Sequence, residues 1–334
     1  MNFNTKSLKI VLFILIILMV INIIPPKQVI ENNPFIIEKG NRPLVAAHRG
    51  GKNLNPENTF KAFDYAINEL EIDILELDLV STSDKHVVSI HNLTINASSD
   101  VEEITGSNDS YYVGEHTYEE LLNFNFGYKF TNELGEQPYK DLVTKDQENR
   151  KEVIKANHLN ISTIDEIFAA YHDTDLMFIV EIKDKGEVGF EVADHLYELM
   201  NSTYQADHLL QRVIVGTFNG EVEEYIKNNY PYMYRGGSVA SVTKFVITQM
   251  LAINIIDDGT FIALQIPTSE KAGPITLKLD KATFVNRAHM RNMSVQYWTI
   301  NEKEEMRRLI KLGADVIMTD NPDILIELLE EMGF

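Results

Sequence analysis

From Pro43 onward the chain alternates short β-branched or apolar runs with amphipathic stretches of helical period. The runs predicted as strands are 43–47, 74–80, 87–91, 177–182, 212–217, 232–238, 261–266, 295–299 and 316–319. Helices are predicted between most of them, at 58–70, 163–171, 187–201, 219–228, 242–253, 278–291, 302–312 and 323–332. Strand–helix alternation of this kind marks a parallel α/β fold. One pair breaks it. Only six residues separate 74–80 from 87–91, too few for a parallel crossover, so a turn centred on Asp84-Lys85 makes an antiparallel hairpin. Eight strands remain, the number in a closed (β/α)8 barrel, and counting alone leaves a doubly wound open sheet as the alternative. Residues 92–160 are polar, with one amphipathic stretch near Thr117–Phe124, and read as an insertion between barrel elements.

The start of the chain follows another pattern. Ile10–Ile21 is an uninterrupted run of twelve apolar residues, extended through Asn22 to Ile24, with Lys6 and Lys9 before it and Pro25-Pro26 after it. No polar face exists anywhere in that run, which disfavours the bland alternative of a buried core helix. As a helix it spans about 22 Å, short of a ~30 Å hydrocarbon core but usable with snorkelling lysines. No small-x-small cleavage signal follows. Residues 1–24 are therefore expected to be an uncleaved signal anchor, a single-pass transmembrane helix that places the bulk outside the cell membrane. A cleaved signal peptide and a secreted product is the alternative. Residues 25–42, with three prolines, read as a linker, and 43–334 as the barrel domain.

Charge and composition narrow the function. The chain has 334 residues, 30 Lys+Arg against 50 Asp+Glu, and a formal charge of −20. That balance argues against nucleic acid as a partner and against electrostatic docking on an anionic bilayer. The N-terminal helix is the one expected membrane contact, and no obligate protein partner is evident. The absence of cysteine excludes disulfides, thiolate metal sites and cysteine nucleophiles. There is also no G-x-S-x-G elbow, no phosphate-binding P-loop and no H-E-x-x-H zinc helix.

Candidate chemistry is densest between His48 and His91. In the strand 74–80, Ile74, Glu76, Asp78 and Val80 share one face and Leu75, Leu77 and Leu79 the other. The leucine face suits packing under outer helices, so Glu76 and Asp78 point into the barrel or its mouth. Adjacent buried carboxylates repel unless a cation joins them, and hard oxygen ligands suit Ca²⁺ or Mg²⁺. A solvated edge strand is the bland reading. Glu181, at the end of MFIVEI, completes a three-carboxylate cation site if it shares the barrel. His48 follows the first strand, where barrel catalytic residues belong. In the hairpin, pairing about Asp84-Lys85 sets His91 opposite Asp78. Two histidines, three carboxylates and Arg49 at one mouth describe phosphoryl chemistry: cation, acid/base pair and phosphate clamp.

The same residues carry a resemblance. His48-Arg49-Gly50, Pro56-Glu57-Asn58-Thr59, Glu76-Leu77-Asp78, His91-Asn92, Glu181-Ile182-Lys183, Trp298-Thr299-Ile300-Asn301 and Thr319-Asp320-Asn321-Pro322 resemble, in order, the motifs of the glycerophosphodiester phosphodiesterase family. The resemblance covers roughly residues 43–325. It implies a TIM barrel with an insertion at 92–160, and a divalent metal on Glu76, Asp78 and Glu181. It also implies His48 and His91 as the acid/base pair, and hydrolysis of a small-molecule phosphodiester to sn-glycerol 3-phosphate and an alcohol. Lys183 is a candidate phosphate ligand, against a helix-facing salt bridge. Trp298, the only tryptophan, is a candidate wall for a glycerol-like group, against core packing. Pro56–Thr59 reads as a helix cap.

Two positions depart from the pattern. Asn92 stands where the family usually has Asp, and Asn96–Ser99 replaces a typical R-T-T. Neither removes a metal ligand or a histidine. The rival readings are a phospholipase D- or C-like lipase on lysolipids, and a surface-binding barrel without turnover.

Overall fold

A computed structural model describes residues 5–23, 27–250, 259–272 and 275–334. Eight parallel strands form the central sheet: β1 (Leu44–Ala47), β2 (Ile74–Ser81), β4 (Met177–Ile182), β5 (Val213–Gly216), β6 (Tyr234–Arg235), β7 (Ala263–Ile266), β10 (Ser294–Tyr297) and β11 (Val316–Thr319). Their order is β6-β5-β4-β2-β1-β11-β10-β7. The two ends meet through a parallel bridge between Gly236 and Ala263, where Ile262 N donates to Arg235 O at 2.9 Å. The sheet thus curls into a barrel, and the open-sheet alternative is excluded. Helices α2 (Phe60–Asn68), α6 (Ile164–Tyr171), α7 (Gly186–Glu198), α8 (Gly220–Asn229), α9 (Val239–Met250), α10 (Ala282–His289), α11 (Lys303–Leu312) and α12 (Pro322–Glu331) alternate with the strands. The Pro25-Pro26 stop and the end of the expected helix 242–253 lie outside the described residues.

The two faces of β2 separate as their alternation predicts. Leu75, Leu77 and Leu79 join the outer core under the helices. Ile74 instead meets Ala46, Ile179, Ile214, Val316 and Met318 in a smaller cluster inside the barrel. Residues 27–42, expected as a linker, cover the N-terminal end of that interior. Phe35 is fully buried among those residues, contributing about 2 kcal/mol by its burial. Asn33 Nδ2 donates to Ile262 O at 2.9 Å and to Asn292 O at 2.8 Å. This end is closed, so the opposite, C-terminal mouth is the open one.

The hairpin strand β3 (Val87–Ser89) pairs antiparallel with β2 in the register Leu79–Ser89, Val80–Val88 and Ser81–Val87. The expected register is therefore off by one. Ile90, not His91, faces Asp78, its N–H donating to Asp78 O at 2.9 Å. The cause is the turn. Thr82 N donates to His86 O at 2.9 Å, enclosing three residues, and Lys85 takes a left-handed φ of 66°, the usual three-residue hairpin loop. His91 lies beyond the strand. A second hairpin, β8 (Ser269–Ala272) with β9 (Ile275–Lys278), was not predicted.

The insertion forms short helices α3 (Val101–Thr105), α4 (Tyr118–Leu121) and α5 (Arg150–Ala156). Its apolar residues Ile95, Val101, Val113, Leu121, Phe124 and Phe126 pack on Val80, Val88 and Ile90 of the hairpin. Thr117 caps α4 in a reciprocal arrangement with Glu120, at the start of the stretch whose amphipathic pattern stood out along the chain.

Helix α1 runs Thr5–Ile23, with Leu8, Ile10, Phe13 and Met19 exposed. Among the described residues no helix is long and apolar enough to cross a membrane. The structure therefore lends the expected transmembrane span no support.

Candidate active site

A cavity of about 270 Å³ opens at the C-terminal mouth and is lined by His48, Arg49, Glu76, Asp78, His91, Glu181, Lys183 and Trp298, among others. Every sequence-predicted site residue is among them. Strand geometry explains the convergence of the acids. Asp78 and Glu181 are direct partners across the parallel β2–β4 pair, and Glu76 is one pleat below Asp78 on the same face. One oxygen from each of the three carboxylates lies within 4.8 Å of the others. Two ligands of one Ca²⁺, each about 2.4 Å from it, are at most about 5 Å apart, so the trio fits a hard divalent cation.

The acids are not equivalent. Glu76 is buried; burial, then the neighbouring Asp78, pushes its pKa well above the usual range. Its Oε2 accepts the Arg49 N–H at 2.8 Å. Glu181 is also raised, chiefly by burial. Asp78 is equally buried, and burial is the largest influence on it, yet Lys183 and Arg49 together hold it below the usual range. Lys183 Nζ sits 2.9 Å from Asp78 Oδ1 and 2.6 Å from Glu181 Oε1, so it bridges the two acids rather than facing a helix.

The turn after β1 places the basic groups. Arg49 adopts φ 52° and Gly50 φ 81°, and a Cβ on Gly50 would lie 2.8 Å from Ala62 Cβ and Phe63 Cδ1. Glycine is therefore required in His48-Arg49-Gly50 for the chain to turn against α2. Arg49 Nη1 donates to Glu57 Oε2 at 3.1 Å, and its Nε lies 3.2 Å from Asp78 Oδ2 without a well-formed hydrogen bond. That orphaned buried donor faces the carboxylate cluster, where an anion held by a cation would complete it.

The segment Pro56–Thr59 does more than cap. Thr59 caps α2, its Oγ1 accepting from Ala62 N at 3.3 Å. Asn58, at φ 55°, turns inward; its Nδ2 donates to Asp78 Oδ2 at 3.1 Å, and its Oδ1 accepts from Ser89 Oγ at 2.9 Å. Glu57 orients Arg49. Both roles were missed because a helix start explains Asn and Glu so well from sequence.

Asp320 was missed as well. Strand β1 pairs with β11 with Ala47 beside Thr319, which sets His48 next to Asp320. Their side chains meet at 2.5 Å, His48 Nδ1 to Asp320 Oδ1. Asn301 Nδ2 donates to the other oxygen, Asp320 Oδ2, at 2.8 Å. Against burial, His48 and Asn301 hold Asp320 below its ordinary pKa. The signal was the Thr319–Pro322 and Trp298–Asn301 motifs at neighbouring strand ends. At the far side, His91 Nδ1 lies 2.9 Å from Asn92 Oδ1, so residue 92 faces the histidine. Burial, then Lys183 and Arg49, lowers the His91 pKa despite the opposing pull of Asp78. Trp298 meets Phe218 edge-on at 5.9 Å between ring centres.

A sequence model of the Glycerophosphoryl diester phosphodiesterase family matches residues 48–324. The chain belongs to that family. It is 26% identical to a glycerophosphodiester phosphodiesterase of Caldanaerobacter subterraneus over 87% of this chain and 100% of that one. It is 25% identical to human lysophospholipase D GDPD1 over 86% of each. Among solved structures it is similar to a glycerophosphoryl diester phosphodiesterase domain from Mycobacterium tuberculosis, with TM-score 0.65, 17% identity, and coverage of 87% of this chain and 100% of that one. It is also similar to an Oleispira antarctica phosphodiesterase in complex with the product sn-glycerol-3-phosphate, with TM-score 0.59, 18% identity, and coverage of 86% and 97%. At such identities the solved structures establish the shared fold. The relatives are named as hydrolases of one family, and the chain is a member of it.

Proposed function

We propose that this protein hydrolyses glycerophosphodiesters to sn-glycerol 3-phosphate and an alcohol, with His48 and His91 as the acid/base pair. One observation carries the reading: both histidines line the same cavity as three carboxylates that fit a divalent cation. Glu76, Asp78 and Glu181 would hold Ca²⁺, with Mg²⁺ as the second choice. Bound there, the cation supplies Lewis-acid stabilisation of the phosphate's non-bridging oxygens. Arg49 and Lys183 add positive charge beside them and orient the phosphate.

Asp320 accepts the proton on His48 Nδ1 and leaves Nε2 free to take a proton from the attacking oxygen. The carboxylate fixes that tautomer and the orientation of the ring, which suits the base. His91, with a lowered pKa and a neutral partner, releases a proton more readily and suits the acid that protonates the leaving alkoxide. Trp298, with Phe218 behind it, forms the wall for the glycerol moiety.

A second reading, a phospholipase D-like action on lysolipids, is favoured by the relatives named lysophospholipase D and by Phe218, which is 55% exposed at the cavity rim. We assign the protein to the outer face of the cell membrane, held by α1, or to the secreted fraction if that segment is cut. The exposed apolar side chains of α1 beside Lys6 and Lys9 support this. The deciding experiment is cleavage of glycerophosphocholine and of lysophosphatidylcholine, each with Ca²⁺, Mg²⁺ or chelator. Turnover of the first alone, lost with chelator, supports the main reading. Turnover of the second supports the lipase. No turnover of either leaves a barrel that binds without catalysis.

A further inference from the structure

We propose that a groove beside the catalytic cavity receives the alcohol part of the substrate and selects alcohols that carry negative charge over quaternary ammonium alcohols. The inference rests on the phosphodiesterase reading and names its substrate class. The groove, of about 620 Å³, shares His91, Glu181, Lys183, Thr217 and Phe218 with the cavity and then runs outward past Leu93, Lys185, Asn219 and Gly220. Trp298, Gln265 and Gly237 line the cavity but not the groove. A phosphate seated at the carboxylate trio therefore has one ester oxygen directed toward Trp298 and the other toward the groove, past His91.

The charges in the groove are one-sided. Lys183 is held by Asp78 and Glu181, and that bridge already engages Glu181, the only acidic side chain in the groove lining among the described residues. Lys185, two residues on, is exposed and makes no ion pair or side-chain hydrogen bond among the described residues. On a chain with 50 acidic residues against 30 basic ones, a lysine left without a partner beside a reaction site keeps its full attraction for an incoming anion. A quaternary ammonium group needs the opposite, several aromatic faces or a free carboxylate. The groove offers it one hydrocarbon ring, Phe218, beside the His91 imidazole and two ammonium groups. An alcohol bearing a second phosphate meets Lys185 favourably, and an uncharged polyol meets it without penalty.

The test compares kcat/KM for three glycerophosphodiesters in the full-length protein: glycerophosphocholine, glycerophosphoglycerol and bis(glycerophospho)glycerol, whose leaving alcohol carries a phosphate. One unit charge about 6 Å away in a solvent-exposed groove changes relative rates by roughly 5-fold. Wild type is expected to rank the phosphate-bearing alcohol first and choline last. Lys185→Ala should bring the three within about 2-fold, and Lys185→Glu should invert the order, with both effects shrinking in 0.5 M salt as screening predicts. Ratios within one variant cancel any loss of folded protein. If all three diesters are cleaved and neither variant changes their ranking, the groove assignment is wrong while the phosphodiesterase reading stands. If none is cleaved, both fall.

Discussion

The two histidines form two halves of one site at the barrel mouth, and their settings differ in almost every respect. His48 is buried, rooted between adjacent parallel strands, and clasped by Asp320, which Asn301 holds in turn. His91 lies past the end of a short hairpin strand, half-buried, and its partner is the neutral amide of Asn92. Residue type is the same, but the group on the far nitrogen decides what each ring can do. A carboxylate stabilises the imidazolium and fixes its tautomer, whereas an amide fixes orientation and adds no compensating charge. The insertion sharpens the contrast, since its apolar core packs on the hairpin that ends at His91.

The largest effects should come from removing either ring. His48→Ala and His91→Ala are each expected to lower kcat by roughly 10²–10⁴ with the fold retained, the range for acid/base groups. Near-normal turnover in one variant would strike that residue from the mechanism. Next comes Asp320→Asn, which keeps shape and removes charge. It should lower kcat by about 10- to 100-fold, as loss of a group that orients a functional histidine does, whereas the His91 half has no carboxylate to lose. It should also destabilise the fold by about 1–3 kcal/mol at pH 7. Because Asp320 titrates below its ordinary value, that contribution is complete above about pH 4 and lost as pH falls through the folded pKa. Melts of both proteins from pH 3 to pH 7 would expose a pH-independent difference, which would rule out the Asp320 charge as its source.

A third effect concerns the acids between the two halves. Ca²⁺ at about 100 Kd should stabilise the protein by about 2.7 kcal/mol, read as a rise in melting temperature. Glu76→Ala should abolish that rise, and an identical response in wild type and variant would misplace the metal. The smallest effect tests the asymmetry directly. Asn92→Asp gives His91 a carboxylate and should raise its lowered pKa, moving the His91 limb of the pH–rate profile upward. A profile that overlays wild type would mean that residue 92 serves the loop into the insertion instead.

Much of this was legible along the chain. The alternation Ile74-Leu75-Glu76-Leu77-Asp78-Leu79 needs no tertiary information to separate a core face from a carboxylate face, because the pleat has period two. The same property makes register fragile. One residue of difference in the turn at Thr82–His86 moved His91 away from Asp78 and put Ile90 there. Asn58 and Glu57 were hidden behind a sufficient local explanation, helix capping. Asp320 was hidden by distance, since it lies 272 positions from His48 and becomes its neighbour only through the β1–β11 pairing that closes the barrel.

The sequence by itself determined most of the elements, the count of eight parallel strands, the inward acids and the family, because each follows from periodicity or from motifs a few residues long. Only the tertiary structure decided which charges compensate one another. Glu76 and Asp78 are two residues apart on one strand, yet Asp78 is held ionised by Lys183 and Arg49 while Glu76 is pushed toward protonation by its burial. Pairing energies between charges depend on separations of a few ångströms and on how much water remains between them. Those quantities are set by strands that meet across the barrel, not by neighbours along the chain.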